Sequence, residues 1–288
     1  MKAPDWTSPD GSIALHHCPC EELLADVEEA SVHLVVTSPP FNTLEGEVNA
    51  YGFRAQRTGG PDRWLEKVRN QSYDDNRPED VYQAWLTWIV SQCLRASKSL
   101  VWVNHKPRYR DGRAVLPERF LPFDLWDMVV WNRRGSIAQN CRKFPPSFEF
   151  LLGFGRQGYW DQQCASWLSV WDDIAPARGF DDHPCPWPLA IPMRLIQATC
   201  PMRGVVLDPF LGRGTTAVAC VRLARRCIGV ERDERYFAAA VANVEAELRR
   251  WPCKPDDYVR RVELTENREL LGEQASGGRE PPVCAARR

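Results

Sequence analysis

The chain has 288 residues, a formal net charge of −1 and a sequence pI of about 6.5. This length can bury a sizeable core in one large domain or two small ones. The charge balance excludes a global positive field, and no apolar run approaches the roughly 18 residues of a membrane-spanning helix. Eleven irregularly spaced cysteines favour a reducing cytoplasm, and we predict no metal site.

The predicted elements alternate between strands and helices in chain order. A lead-in with a helix near 21–30 precedes a strand over 32–36, and the polar, glycine-containing stretch 42–78 predicts a long loop. Further strands are predicted at 99–104, 125–131, 148–155, 205–207 and 227–230, with another within 167–174. Helices are predicted at 79–96, 189–199, 215–223 and 236–250. This alternation is typical of an α/β sheet.

The polar composition after residue 251 predicts the domain boundary. We predict one catalytic domain over 1–251, with recognition loops inserted at about 43–75 and 105–146. Residues 252–288 are predicted to form a flexible tail.

A glycine-containing stretch between two predicted strands suggests a ligand site. One strand ends in Asp208, a loop with Gly212 and Gly214 follows, and the next strand ends in Glu231, nineteen positions after Gly212. Glycines let the backbone approach a ligand, and an acid at the next strand's tip can bind ribose hydroxyls. No Gly-Lys-Ser/Thr follows, which excludes a P-loop.

The acid that precedes this glycine loop narrows the class of ligand. Asp208 is poorly suited to a pyrophosphate and suits a cationic, amino-acid-like ligand better. S-adenosylmethionine, with its amino group, sulfonium and ribose, matches Asp208 together with Glu231. A purely structural strand–turn–helix remains the alternative.

The stretch Val-His-Leu-Val-Val-Thr-Ser-Pro-Pro-Phe-Asn, residues 32–42, runs from an apolar strand into two prolines. Consecutive prolines stop both helix and sheet, so the chain must turn there. The Ser38 side chain and the Pro39 carbonyl can accept hydrogen bonds from an exocyclic amine. Phe41 can stack on a base taken out of its duplex.

Together these two motifs resemble those of the DNA amino-methyltransferases, in the permuted β group, which methylate N4 of cytosine or N6 of adenine. The resemblance implies a Rossmann-like S-adenosylmethionine-dependent sheet with circularly permuted motif order. It makes Ser38, Pro39, Pro40 and Phe41 catalytic. The implied cofactor-binding residues are Thr37, Asp208, Pro209, Phe210, Gly212, Gly214, Thr215, Glu231 and His183. In this family serine at the first position is commoner in cytosine enzymes, which favours cytosine N4 over adenine N6.

A local excess of positive charge suggests where DNA binds. Residues 95–143 contain eleven Lys and Arg against four acids, interleaved with aromatic residues, although a solvated surface is the alternative. Only about thirty residues separate Glu149 from His183, where many β-group members have a longer recognition region, so we expect the loops to read DNA. The predicted DNA-binding residues are Arg54, Arg57, Lys106, Arg108, Arg110, Arg133, Arg134, Arg142 and Lys143.

The resemblance implies double-stranded DNA as partner and leaves open a homodimer and a cognate restriction endonuclease. It places the protein in the cytoplasm of a bacterium, or in a phage or prophage system. One rival is a methyltransferase of a glutamine side chain or an RNA amine, which usually has its Pro-Pro motif after the cofactor motif. Another is a non-catalytic relative that binds DNA or a partner. Glu149 is predicted to be a buried structural carboxylate.

Overall fold

The computed structural model describes residues 2–42, 77–110, 113–134, 144, 146–177 and 187–250. The strands among them are β1 Trp6–Thr7, β2 Ile13–His17, β3 Leu34–Thr37, β4 Val101–His105, β5 Arg108–Arg110, β6 Arg113–Val115, β7 Leu125–Asn132, β8 Phe148–Phe154, β9 Val170–Trp171, β10 Val205–Asp208 and β11 Arg226–Glu231. The helices are α1 Cys20–Asp26, α2 Glu79–Ala96, α3 Pro117–Phe120, α4 Ala190–Thr199, α5 Thr215–Arg222 and α6 Glu234–Arg250, with a 3-10 turn at Gln162–Cys164.

Nine of the described strands form one sheet, in the order β1-β2-β11-β10-β3-β4-β8-β7-β9. The five strands from β2 to β4 in this order are mutually parallel, whereas β8 is antiparallel to both β4 and β7. Because neighbouring parallel strands end at the same edge, the carboxyl ends of β3, β10 and β11 lie together. This edge is where open α/β sheets bind ligands.

Side chains of the central strands alternate between two buried clusters. Leu34 and Val36 of β3 belong to one cluster, together with Leu195 of α4 and helix α6. Val35, between them in sequence, belongs to the second cluster with Leu86 of α2. A strand points successive side chains to opposite faces, so helices cover both faces of the sheet. The predicted α/β class is confirmed.

Helix α2 matches its predicted bounds residue for residue. Pro78 precedes its first turn, which contains Glu79 and Asp80, and Arg95 lies in its last turn. Charges placed this way are favourable to the helix dipole. The helix presents one apolar face to the sheet, consisting of Tyr82, Leu86, Ile89, Val90 and Cys93.

The first strands differ from prediction. The helix predicted near 21–30 is the shorter Cys20–Asp26, and the residues before it form β1 and β2 rather than a lead-in. β2 pairs in parallel with β11. Its sequence, Ile-Ala-Leu-His-His, conceals a strand because the polar residue His16 is fully buried within it.

The other differences are at the basic loop and one sheet edge. Within the predicted basic loop, β5 and β6 form a separate antiparallel hairpin. The strand predicted within 167–174 is only Val170–Trp171, paired with β7 at the sheet edge. The remaining predicted elements lie within a few residues of the observed bounds.

The described residues all belong to one compact unit, Met1–Pro252. The predicted flexible tail and the 43–75 recognition loop lie outside the described residues and stay predictions. Within the described part of the chain, no helix is both long and apolar enough to cross a bilayer.

Candidate active site

Two adjacent parallel strands, β3 and β10, bring the two sequence motifs together. β3 ends at Thr37, directly before Ser38, and β10 ends at Asp208. The Thr37 hydroxyl donates a 2.8 Å hydrogen bond to Asp208 Oδ1. The predicted base-binding turn and the predicted cofactor loop therefore start from hydrogen-bonded neighbours.

Asp208 is a buried carboxylate with neutral hydrogen-bond donors. Its Oδ1 also accepts a 3.0 Å bond from the Phe210 backbone N–H. Burial raises the pKa of Asp208 to about 6, against hydrogen bonds that lower it. A buried carboxylate is costly to ionise unless a cation compensates it, so a cationic ligand would be bound favourably here.

The loop after Asp208 needs glycine for its backbone and for helix packing. Gly212 and Gly214 have φ of 55° and 86°, the left-handed region that favours glycine. A Cβ on Gly214 would lie 3.1 Å from both Cα and Cβ of Ala240 in α6. Helix α5 begins at Thr215, the next residue. The loop thus exposes backbone to a ligand while α6 packs closely behind it.

Glu231, at the end of β11, is hydrogen-bonded to the backbone of this loop. Its Oε2 accepts a 2.9 Å bond from Gly212 N–H, and its Oε1 accepts a 2.7 Å bond from Asp233 N–H. Burial raises its pKa. An ionised carboxylate offers about four lone-pair directions, so acceptor capacity remains for ligand hydroxyls.

The Ser-Pro-Pro-Phe turn is anchored by α2 and β4. The Tyr82 hydroxyl lies 2.7 Å from the Pro40 carbonyl, to which it can donate, and 2.8 Å from His105 Nε2. Burial lowers the pKa of His105 to about 3, which keeps the ring neutral at physiological pH. The Phe41 ring packs 5.1 Å from His105, and Lys106 Nζ lies 5.3 Å from the Phe41 centroid.

A hydrogen-bonded row extends from Ser38 across the edge of the sheet. The Ser38 hydroxyl donates to Asn104 Oδ1 at 2.9 Å. Asn104 Nδ2 donates to Glu149 Oε2 at 3.1 Å and to the Phe150 carbonyl at 3.2 Å. Arg133 donates to Glu149 Oε1 at 2.9 Å. Glu149 is buried and hydrogen-bonded, as predicted.

The segment 43–76 is bracketed by a pair of hydrogen bonds. Asn42 Nδ2 donates to the Arg77 carbonyl at 2.8 Å, and Arg77 N–H donates to Asn42 Oδ1 at 2.7 Å. Asn42 has a φ of 54°, which asparagine tolerates better than most residues. The Arg110 side chain donates to the Asn42 carbonyl at 2.5 Å. This residue pair fixes where the chain leaves the Ser-Pro-Pro-Phe turn.

The prediction that Arg108 contacts DNA is wrong. Its side chain is 0% exposed and pairs with both carboxylate oxygens of Glu79, at 2.5 and 2.7 Å. Its guanidinium also lies 4.5 Å from the Tyr82 ring centroid. Arg110, two residues later in the same strand, points to the same side and also pairs with Glu79, so a basic run in sequence need not be a basic surface.

The other predicted DNA-binding residues have different surroundings. Arg110 also pairs with Glu79, at 3.2 Å, and is mostly covered. Lys106 and Arg133 are partly exposed, and Arg134 is exposed. Their contacts with DNA stay predictions. The remaining predicted site residues, which lie outside the described residues, are Arg54, Arg57, Arg142, Lys143 and His183.

The assembled geometry supports a particular chemistry. A buried carboxylate and a glycine loop form a site for a cationic ligand that carries hydroxyl groups. Immediately beside it, the Ser-Pro-Pro-Phe turn carries a hydroxyl and backbone carbonyls, which can accept hydrogen bonds, and an aromatic ring. This arrangement suits transfer from a cationic donor to an amine on a flat ring.

Comparison with known proteins identifies the family. A family model described as DNA methylase, N6_N4_Mtase, matches residues 32–242. The chain belongs to this family of N6/N4 DNA methylases. The predicted resemblance and the methyltransferase fold are thereby confirmed.

Three known proteins are similar to this methylase in sequence or in fold. The Type II methyltransferase M.ScaI of Streptomyces caespitosus is 26% identical over 280 residues, covering 82% of each chain. TTHA0409 of Thermus thermophilus, named as a DNA modification methylase and solved with S-adenosyl-L-methionine, is 25% identical with a TM-score of 0.56, covering 81% of this chain and 95% of its own. The cytosine-N4-specific PvuII DNA methyltransferase shares the fold at 17% identity, with a TM-score of 0.64 over 94% of this chain and 96% of its own.

Four residues at this site of the methylase have no role in our sequence-based prediction: Asn42, Tyr82, Asn104 and His105. Asn104 and His105 end β4, next to the strand that carries Ser38. Polar residues at the carboxyl end of a predicted parallel strand were the available signal. Nothing in the sequence indicates how α2 packs on the sheet, which brings the Tyr82 hydroxyl to the Pro40 carbonyl.

Proposed function

We propose that this DNA methylase transfers a methyl group from S-adenosylmethionine to the exocyclic amine of a flipped base, N4 of cytosine. The observation that carries the proposal is the Thr37–Asp208 hydrogen bond, because it joins the base-binding motif to the cofactor motif. The methyl donor is further supported by the Thermus thermophilus relative, which was solved with S-adenosyl-L-methionine.

The buried acids and the glycine loop would hold the methyl donor. Asp208 would accept hydrogen bonds from its amino group and balance its positive charge, while Glu231 would accept from the ribose hydroxyls. The backbone around Gly212 and Gly214 would lie against the donor without steric conflict. The other residues proposed to line this site are Thr37, Pro209, Phe210, Thr215 and His183.

The turn after β3 would hold the target amine. Ser38 Oγ and the Pro39 carbonyl would each accept a hydrogen bond from one of its two N–H groups, and Pro40 would keep that carbonyl in place. As the hydrogen bonds draw the hydrogens from the ring plane, the nitrogen lone pair becomes available for attack. S-adenosylmethionine supplies a methyl carbon whose bond to sulfur breaks, with the electron pair passing to sulfur, as the N–C bond forms. The amine then releases one proton to water.

Phe41 would hold the target base in position. The methyl donor cannot reach an amine inside the duplex, so the base must be extruded. The Phe41 ring packs on His105 and beside Lys106, which orients its face. Stacking on an aromatic ring contributes about 1–3 kcal/mol per base.

The choice of cytosine over adenine depends on Ser38. In the family resemblance serine at this position is commoner in cytosine enzymes, and a neutral acceptor suffices for either amine. Adenine N6 is the alternative target. A non-catalytic DNA- or partner-binding relative is a further alternative, against which the buried Asp208 argues, because a carboxylate that is costly to bury has a function here only with a ligand.

Basic side chains at the same edge of the sheet would bind the DNA backbone. Lys106 directly follows β4, and Arg110 ends the next strand, β5. Arg133 and Arg134 directly follow β7. We propose phosphate contacts for them, together with Arg54, Arg57, Arg142 and Lys143, since phosphate contacts outnumber base contacts in such complexes. The bacterial relatives support action on DNA in the bacterial cytoplasm, for a protein encoded by the bacterium, a phage or a prophage. A homodimer and a cognate restriction endonuclease stay open as partners.

Nucleoside analysis tests this proposal. Unmethylated bacterial DNA is incubated with the protein and labelled S-adenosylmethionine, digested to nucleosides, and separated by mass and retention. The proposal predicts labelled N4-methylcytosine. Labelled N6-methyladenine would transfer the proposal to adenine. Cofactor binding without any labelled nucleoside would contradict methyl transfer to DNA and favour the non-catalytic alternative.

A further inference from the structure

The row Ser38–Asn104–Glu149–Arg133 crosses four neighbouring strands at the candidate active-site edge. Ser38 follows β3, Asn104 is in β4, Glu149 is in β8, and Arg133 follows β7. Asn104 is 1% exposed and Glu149 5% exposed, whereas the Arg133 side chain is 35% exposed. The row thus connects a partly buried hydroxyl at the candidate active site to a charge near the surface.

The orientation of the Asn104 amide follows from its partners. The Glu149 carboxylate, which is paired with Arg133, and the Phe150 carbonyl are the acceptors in the two hydrogen bonds that Asn104 donates. Both Asn104 N–H groups are therefore needed on that side. A flipped amide would place three acceptors against one another, so the amide oxygen must face Ser38.

This orientation dictates what Ser38 can offer. An amide oxygen only accepts, so the single hydroxyl proton of Ser38 is donated to Asn104. The Ser38 oxygen then presents only lone pairs to a base. The network leaves this hydroxyl without a proton to donate, although serine ordinarily both donates and accepts.

We propose that Asn104 is a positioning residue that makes Ser38 an acceptor only, so that the site accepts amine-bearing bases and rejects carbonyl-bearing ones. The inference rests on the proposed function. An exocyclic amine donates an N–H to Ser38, whereas the carbonyl oxygen at the same ring position of uracil, thymine or hypoxanthine meets a lone pair. Two acceptors in contact are unfavourable because neither group is satisfied.

Glu149 has a second role in this proposal. Its negative charge polarises the Asn104 amide, which makes the amide oxygen a stronger acceptor and in turn the Ser38 oxygen more negative. Hydrogen bonds in series strengthen one another in a low-dielectric interior. Removing this charge while keeping the bond should weaken the reaction without changing which bases are accepted.

The test compares Asn104→Leu and Glu149→Gln with the wild type and with Glu245→Gln. Glu245 in α6 makes an exposed 3.5 Å pair with Arg249 and controls for loss of a carboxylate in a surface ion pair. Each protein is assayed by single-turnover methyl transfer, by S-adenosylmethionine affinity, and by binding to duplexes containing the site mapped for the wild type. In one duplex the target base is natural; in the other it is the deaminated carbonyl counterpart, uracil for cytosine or hypoxanthine for adenine.

Asn104→Leu should lower the single-turnover rate about tenfold to hundredfold while S-adenosylmethionine affinity stays within about twofold. For each protein, the affinity for the natural duplex is divided by the affinity for the duplex with the deaminated base. This affinity ratio should be about tenfold lower in Asn104→Leu than in the wild type, because Ser38 can then donate to a carbonyl. The mismatch created by deamination affects both proteins equally and cancels in this comparison.

Glu149→Gln should lower the rate about threefold to tenfold and leave the affinity ratio unchanged, since the Gln oxygen still accepts from Asn104. Glu245→Gln should match the wild type. An unchanged affinity ratio in Asn104→Leu, whatever its rate, would overturn the proposal, as would a wild-type rate in both variants at the active-site edge. An inactive wild type would overturn the proposed function, and this inference with it. If the wild type is active and the affinity ratio of Asn104→Leu is unchanged, only the inference about Asn104 is overturned.

Discussion

Thr37 and Asp208 are 171 residues apart in sequence, yet the hydroxyl of one donates a hydrogen bond to the carboxylate of the other. Each is the last residue of its strand: Thr37 directly precedes the Ser-Pro-Pro-Phe turn, and Asp208 directly precedes the glycine loop. The bond therefore sets the distance between a turn that can hold an amine and a loop that can hold a cationic methyl donor. It also favours the ionised form of Asp208, against the effect of burial.

Cofactor affinity should depend on pH through Asp208. Burial raises the pKa of this carboxyl to about 6, above its ordinary value of 3.8, so it is neutral at acidic pH and ionised at neutral pH. A cationic ligand needs the ionised form. S-adenosylmethionine affinity should therefore rise with pH up to about 6 and level off above it, falling about tenfold per pH unit below the midpoint. Isothermal titration between pH 5 and 7.5 measures this.

Two variants assign that pH dependence to Asp208. Asp208→Asn should bind the cofactor more weakly and with a flat pH profile across this range. Thr37→Val removes a hydrogen bond to the charged form, so the midpoint should move to higher pH. A wild-type midpoint in Thr37→Val, or a retained midpoint in Asp208→Asn, would show that another group titrates.

Gly214 should be far less tolerant of a side chain than another glycine with positive φ. Gly214→Ala combines left-handed strain with a Cβ 3.1 Å from the Ala240 backbone and side chain, and should lower the free energy of unfolding by about 2–4 kcal/mol. Gly11, with a φ of 70°, has nothing within 4 Å of an added Cβ. Gly11→Ala should therefore cost only about 1 kcal/mol. Denaturant unfolding measures both, and equal losses would show that helix packing does not restrict this loop.

Arg108 and Arg134 should respond in opposite ways to mutation. Arg108→Met leaves Glu79 with its weaker pairing to Arg110, and should lower the free energy of unfolding by about 2–3 kcal/mol. Arg134→Ala, at an exposed position, should change stability by less than about 0.5 kcal/mol and weaken DNA binding equally across sequences. Thermal unfolding and DNA titration at fixed salt distinguish the two. Wild-type stability in Arg108→Met would contradict the structural role of its ion pair.

The features of this methylase that could be predicted from its sequence are those that local sequence patterns encode. The apolar runs before Thr37 and Asp208 predict buried strands, the prolines and glycines predict the turns that follow them, and the spacing of α2 predicts a helix. These local signals sufficed for both motifs and for the fold class.

Relationships between distant segments were harder to predict. The burial of Arg108 depends on Glu79 in α2, and the direction of the Asn104 amide depends on Glu149 in a strand that follows 45 residues later. Neither pairing leaves a periodic signal in sequence. β2 was missed because a buried histidine interrupts its apolar pattern. Tertiary contacts decide such cases, and local propensity does not record them.

The most direct test of the central claim is methyl transfer by a protein altered in both motifs. The rate at which label moves from S-adenosylmethionine to DNA is measured under single-turnover conditions for the wild type and for the Ser38→Ala, Asp208→Ala double variant, with folding of each verified by thermal unfolding. One active site built from both motifs predicts labelled exocyclic amine with the wild type and a rate lower by at least about hundredfold in the folded double variant. Full transfer by the double variant would contradict it, because neither the acceptor on the base nor the carboxylate beside the donor would then be needed.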